Sequence, residues 1–212
     1  MDERDGLTTL GREADATYEE KKSVFLAHAC PVGSEEEAQA YIRQKKSEYS
    51  DARHNVWAYR MTGDVTVRCS DDGEPQGSAG VPTLDVLRKS GVSNAVLVVT
   101  RYFGGILLGA GGLVRAYSAA ARMAVEAAGI VTYRRYTELT LTCSYANYQR
   151  YLSELPKAGA LVDGTDFAER VTVRFALPAA VTNAFCVRIR EMSAGAEEPM
   201  VTGSRFDCPQ NA

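Results

Sequence analysis

Apolar and polar positions fall into two successive blocks, each mixing stretches of strand-like and helix-like spacing. Ser23 to Val32 is apolar enough for a strand. Ser34 then reads as an N-cap, and Glu35, Glu36 and Glu37 place carboxylates at the positive end of a helix running to about Tyr49, with Ala38, Tyr41, Ile42 and Lys45 on one face. His54 to Met61 and Val65 to Ser70 flank Thr62-Gly63-Asp64, a turn sequence that predicts a β-hairpin. Thr83 to Ser90 predicts a second helix, stopped at Gly91. Within a strand from Asn94 to Arg101, the continuous apolar run Ala95-Val96-Leu97-Val98-Val99 predicts a central position covered on both faces. Leu113, Val114, Tyr117, Ala120, Ala121, Ala124, Val125 and Ala128 recur at helical spacing until Gly129. The order is βαββαβα, over residues 19–131. Residues 1–18 are acidic and polar without a clear period, and a mobile arm is expected there.

Past the junction Val131 to Tyr136 the pattern restarts. Thr137 to Cys143 reads as a strand, Tyr145 to Leu155 as a helix, Ala160 to Ala168 and Val171 to Leu177 as strands, Ala179 to Met192 as a helix and Pro199 to Phe206 as a last strand. This βαββαβ order over residues 137–208 predicts a ferredoxin-like domain, a four-stranded antiparallel sheet with two helices on one face. The fold class is therefore α+β with two domains.

Composition adds mainly exclusions. With 45% hydrophobic and 24% charged residues in 212, the chain is neither disordered nor fibrous. No apolar stretch approaches the roughly 20 residues of a membrane span, and Met1-Asp2-Glu3-Arg4-Asp5 leads into no apolar signal segment, so neither a membrane partner nor secretion is expected. A net charge of -3 rules out nucleic-acid binding by bulk charge and demands a local basic face. Cys30, Cys69, Cys143, Cys186 and Cys208 are scattered and lack metal spacing, which predicts reduced thiols in a cytoplasm.

Chemistry concentrates between Ser70 and Arg115. Asp71, Asp72 and Glu74 could hold a hard cation such as Mg2+ or serve an acid/base pair, but their spacing misses the EF-hand loop, and Asp and Gly are ordinary turn residues. A second stretch carries Gly104, Gly105, Gly109, Gly111 and Gly112 from a strand into a helix. Glycine-freed amides at a helix N-terminus can hold an anion; the same glycines also permit close packing and positive φ. Neither the P-loop nor the dinucleotide fingerprint is completed. Arg115 stands in the first helical turn, where the macrodipole disfavours a cation, so an anionic partner is expected: Asp71, Asp72 or Glu74, or a bound phosphate. Arg101 precedes the glycines. His28 reads as a core or edge histidine, while His54 stands among Arg53, Asn55 and Trp57 as a candidate polar contact. Lys21, Lys22, Arg43, Lys45, Lys46 and Arg53, with Tyr49, Trp57 and Tyr59 nearby, offer a surface for RNA backbone and stacked bases or a solvated face. No nucleophilic triad assembles from the sequence.

Ser70-Asp71-Asp72-Gly73-Glu74-Pro75, Gly77-Ser78-Ala79-Gly80, Arg101-Tyr102-Phe103-Gly104-Gly105 and Leu108 to Tyr117 closely resemble the YigZ/IMPACT family, as do Lys22-Ser23, His54-Asn55 and Ala58-Tyr59-Arg60. The match runs from about Tyr18 to Ile130, and the second block resembles the small C-terminal domain of bacterial members. Val81 stands where relatives often carry lysine, Leu107 where some do, and Val56 where cysteine is common. The resemblance implies an N-terminal domain like one of a small-subunit ribosomal protein and domain four of elongation factor G, and a C-terminal domain like that factor's domain five. Eukaryotic relatives regulate translation through a protein partner, and bacterial ones are implied to contact nucleic acid or ribosomes. The expectation is a non-catalytic, cofactor-free protein that binds RNA or a ribosomal particle through Arg53, His54, Arg101, the glycine loop and Arg115. The alternatives are a Mg-dependent hydrolase or transferase acting on a phosphorylated small molecule, and a protein-interaction module contacting the translation machinery.

Overall fold

The unbroken run Ala95 to Val99 does occupy the centre of a sheet. The computed structural model describes residues 6–62 and 66–208, in which the chain forms two units, Leu7–Thr132 and the residues from Tyr133 on. The predicted turn at Gly63-Asp64 lies outside the described residues. The first unit contains β1 (Gly6–Leu10) from Leu7 on, β2 (Ala14–Glu20), β3 (Ser23–Pro31), α1 (Glu35–Glu48), β4 (His54–Arg60), β5 (Val67–Ser70), α2 (Gly80–Lys89), β6 (Ala95–Tyr102) and α3 (Gly109–Ala128). Its five-stranded sheet has the order β2-β3-β6-β4-β5, antiparallel throughout. On β6, Ala95, Leu97 and Val99 pack with Leu113, Ala116, Ala120 and Ala124 of α3, while Val96 and Val98 pack with Ala38, Tyr41 and Ile42 of α1. Period-two side-chain alternation sends neighbours to opposite faces, so a strand covered on both is apolar at every position.

Helix ends follow local chemistry. The Ser34 hydroxyl accepts the Glu37 amide at 3.3 Å, and the Glu37 carboxylate accepts the Gly33 amide at 2.6 Å, fixing the start of α1. Gly129, at φ +69°, ends α3.

Residues 1–18 are not a free arm as far as they are described, because Gly6–Leu10 and Ala14–Glu20 are strands. In β2, Ala14, Ala16 and Tyr18 turn toward the core and alternate with exposed Asp15, Thr17 and Glu19, a period-two signal hidden by the acidic composition. Leu10 is buried beside them. β1 pairs with the start of β7 (Ile130–Cys143), where Thr8 Oγ1 lies 3.0 Å from Thr132 Oγ1.

The second unit continues β7 with α4 (Tyr145–Lys157), β8 (Leu161–Phe167), β9 (Val171–Pro178), α5 (Ala179–Met192) and β10 (Met200–Asp207). Its strands pair antiparallel in the order β10-β7-β9-β8. Leu139, Leu141, Phe175, Tyr151 and Ile189 form its core. One buried carboxylate pins the unit. Glu197 accepts the Ser144 amide at 2.8 Å, the Tyr151 hydroxyl at 2.8 Å, the Asn147 side-chain amide at 3.0 Å and Arg170 at 3.2 Å. Burial would raise its pKa, but these donors outweigh that and hold it below the usual range. The Tyr151 hydroxyl, buried and facing Glu197, is pushed up to about 12.

Candidate functional site

The register of the first sheet brings the chemistry-bearing loops to one end. Arg101 lies opposite both Phe25 and His54, so the β2–β3 turn, the start of β4 and the β6–α3 loop are neighbours. The carboxylate loop between β5 and α2 sits with them through its hydrogen bonds, and each carboxylate is engaged. Asp71 accepts the amides of Gly77, Ala79 and Gly80 at 2.9, 3.0 and 2.8 Å, capping α2 from nine residues upstream of Gly80. Asp72 accepts the Asn55 amide at 2.7 Å and pairs with Lys46 at 2.5 Å, while its carbonyl accepts His54 Nδ1 at 2.9 Å. Glu74, only 8% exposed, accepts Arg101 and the Tyr117 hydroxyl, each at 2.8 Å. These carboxylates organise loops, and no group of three metal-ligating side chains is placed to hold an ion among the described residues.

This arrangement changes the roles read for two arginines. Arg101 is 7% exposed, its guanidinium bonded to Glu74 and lying 5.6 Å from the Phe25 and Phe103 rings. It therefore stands beneath the surface, as a support. Arg115 is not paired with Asp71, Asp72 or Glu74, whose oxygens serve other donors. It is exposed beside Gly111 and Tyr18, with no ion pair among the described residues. Arg53 is likewise exposed with no ion pair there.

Gly104 is required by packing, because a Cβ on it would overlap the Lys22 carbonyl and the Ser23 nitrogen, and its amide donates to Ser23 Oγ at 3.2 Å. Gly105 and Gly109, at φ +83° and +67°, turn the loop in open space. Gly109, Gly111 and Gly112 form the first turn of α3, which has no side-chain cap.

Exposed Lys21 and Lys22, part of the basic run in the sequence, also lie at this end. Lys21 and Lys22 both adopt left-handed backbone, φ +48° and +66°, in the two-residue turn between β2 and β3. That conformation costs a non-glycine residue roughly 1–2 kcal/mol. Their signal was a two-residue gap between alternating strands. The loop that packs on this turn through Gly104 also exposes Phe103, Ile106 and Leu107, the last 83% exposed.

The Asp71 cap sets a pH dependence. Burial alone would raise its pKa, but the Gly77, Gly80 and Ala79 amides outweigh that and leave it lowered. Such a group stabilises the fold above its unfolded pKa of about 3.9, and the contribution is lost as pH falls through that value toward the folded one. Urea midpoints measured between about pH 5 and pH 3 should fall less steeply for Asp71→Asn than for the parent. Parallel slopes would remove Asp71 from acid destabilisation.

With this geometry in view, residues 21–125 match the Impact N-terminal domain, and residues 141–196 match a domain of unknown function. The IMPACT family member YvyE of Bacillus subtilis is 36% identical over 82% of this chain and 81% of its own length. The chain belongs to the IMPACT family. YigZ of Escherichia coli is 37% identical, covering 82% of this chain and 87% of its own. Mouse Protein IMPACT is 33% identical over 42% of this chain and 30% of its own length. A crystal structure of a hypothetical protein, 32% identical, superposes with a TM-score of 0.58 over 93% of this chain and 98% of its own. The carboxylate loop, the glycine loop and the Lys21-Lys22 turn all lie inside the Impact N-terminal match. In this IMPACT family member, Val81 is exposed on the first turn of α2 and Leu107 at the tip of the glycine loop, so both sites read for lysine present aliphatic surface. No helix among the described residues is long and apolar enough to cross a membrane.

Proposed function

We propose that this IMPACT family member is a non-catalytic cytoplasmic protein that docks on RNA or a ribosomal particle and regulates translation. The observation that carries this reading is the Lys21-Lys22 turn. Two lysines sit in strained backbone where Asn-Gly would be relaxed, and strain of this kind tends to mark functional positions. Arg53, Arg115 and the uncapped amides of α3 complete a surface for phosphates, with Phe103 as a stacking face. His54 and Arg101 support it from below. The strand order β10-β7-β9-β8 with two helices supports reading the second unit as ferredoxin-like. Its Arg174 pairs with Asp166, and its Arg205 with Asp163, Glu138 and Asp207, which takes these two arginines out of the phosphate contacts. The likeness of the first unit to an elongation factor G domain, implied by the family, agrees with a ribosomal partner.

The test is sedimentation of tagged protein from a lysate at low and high salt. The parent should travel with ribosomal particles and be released by salt. Lys21→Asn/Lys22→Gly should be more stable by about 1–2 kcal/mol, because the backbone strain is relieved. The same variant should bind defined RNA with a salt slope smaller by about 1.5. Unchanged sedimentation and slope in this variant would sink the reading. A second reading, a protein-interaction module, draws on Ile106 and Leu107, since aliphatic side chains gain nothing from phosphate. It predicts one protein partner whose association survives nuclease.

A further inference from the structure

A groove of about 620 Å³ opens between α2 and α3, within the range of ligand-binding clefts. Its apolar lining is Val81, Pro82 and Val86 of α2, Val114 and the largely buried Val125 of α3, and Ile130. Val81, Val114 and Ile130 are among the exposed large hydrophobic residues of the chain, and here they converge. We propose that this groove docks an amphipathic helix of a protein partner.

Shape selects a helix. Along α3 the wall residues Val114, Ser118, Arg122 and Val125 recur every three or four positions, a stripe extending to Glu126. At 1.5 Å per residue that trough is about 18 Å long and suits a rod of about three turns. Ser118, small and midway, lets a second helix approach closely. An extended peptide would gain little, because the walls are mostly two helices whose backbone groups bond within their own turns.

Charge selects the partner's polar edge. Lys89 and Arg122 line the groove from opposite helices, and neither has an ion pair among the described residues, whereas Asp85 pairs with Arg88 at 3.6 Å. Glu126 lies one turn beyond Arg122. The fitting helix carries apolar residues at i, i+3 or i+4 and i+7, acidic residues facing Lys89 and Arg122, and a basic residue toward Glu126. This inference does not depend on the RNA-docking surface and survives its failure.

The test selects from a display library of random peptides about 14 residues long, roughly four helical turns, on the immobilised full chain. Enriched peptides should show the three-four apolar period with acidic flanks. A labelled enriched peptide should lose at least about tenfold in affinity for Val114→Trp, which fills the trough, and for Arg122→Glu, an exposed change that leaves the fold intact even if the tryptophan does not. Absence of enrichment, enriched peptides without helical period, or affinity unchanged in Arg122→Glu would each overturn the proposal.

Discussion

Glu74→Ala should lower the unfolding free energy by about 3–5 kcal/mol, because it leaves the Arg101 guanidinium buried without its counter-charge. Few single changes are this costly in a domain whose total stability is about 5–15 kcal/mol. The guanidinium has little else to fall back on: its Nε has no hydrogen-bond partner among the described residues, and Nη2 reaches only Ser23 Oγ at 3.5 Å. The Tyr117 hydroxyl, whose pKa burial and the facing carboxylate raise strongly, would lose its acceptor as well. Tyr117→Phe, which removes only the neutral hydrogen bond, should cost about 1 kcal/mol. Joint replacement, Glu74→Leu with Arg101→Met, should recover most of the loss, since a buried pair is often matched by apolar residues of similar volume. Urea titrations of the four proteins check this ordering. A Glu74→Ala protein within 1 kcal/mol of the parent would mean the pair is open to water. The same physics says that Arg101→Ala probes folding and not binding, so Lys21, Lys22 and Arg115 are the positions at which to test the proposed docking surface.

Features set by neighbouring residues were legible in the sequence. The Ser34 cap, the Gly129 stop, the buried run on β6 and the element order of the second unit depend on periodicity and capping within a few positions. Features set by distant partners were not. Asp71 is singled out by its neighbours' composition, but its acceptance of the Ala79 and Gly80 amides requires the loop to fold back on α2. Glu74 and Arg101 were both candidates, yet the sequence gives no reason to pair Arg101 with Glu74 and leave Arg115 outside. Glu197 carries no local signal, because its donors stand 27 to 53 positions away. β2 is hard to read for a different reason: its acidic exposed face outweighs the alternation of Ala14, Ala16 and Tyr18.

Gly104→Ala and Gly105→Ala are adjacent and chemically identical, and they should differ about two-fold or more in cost. At Gly105 the new methyl meets open space, so the penalty is the left-handed backbone alone, about 1–2 kcal/mol. At Gly104 φ is ordinary, but the methyl would overlap the backbone of Lys22 and Ser23, which cannot rotate away as a flexible side chain could. Either the β6–α3 loop lifts off β3, breaking the Gly104 amide to Ser23 Oγ bond, or the Lys21-Lys22 turn moves. Displacements of tightly packed segments cost about 3 kcal/mol or more at the upper end of overpacking effects. Both routes separate the lysine turn from Phe103 and the first turn of α3. The Gly104→Ala protein should therefore lose salt-sensitive binding to RNA or ribosomal particles even at temperatures where it stays folded, while Gly105→Ala keeps most of it. Denaturant midpoints and sedimentation of the two variants side by side decide the matter. If Gly104→Ala proved as mild as Gly105→Ala in both measurements, the close contact between the glycine loop and the lysine turn would be wrong, and with it the single surface assembled from the two.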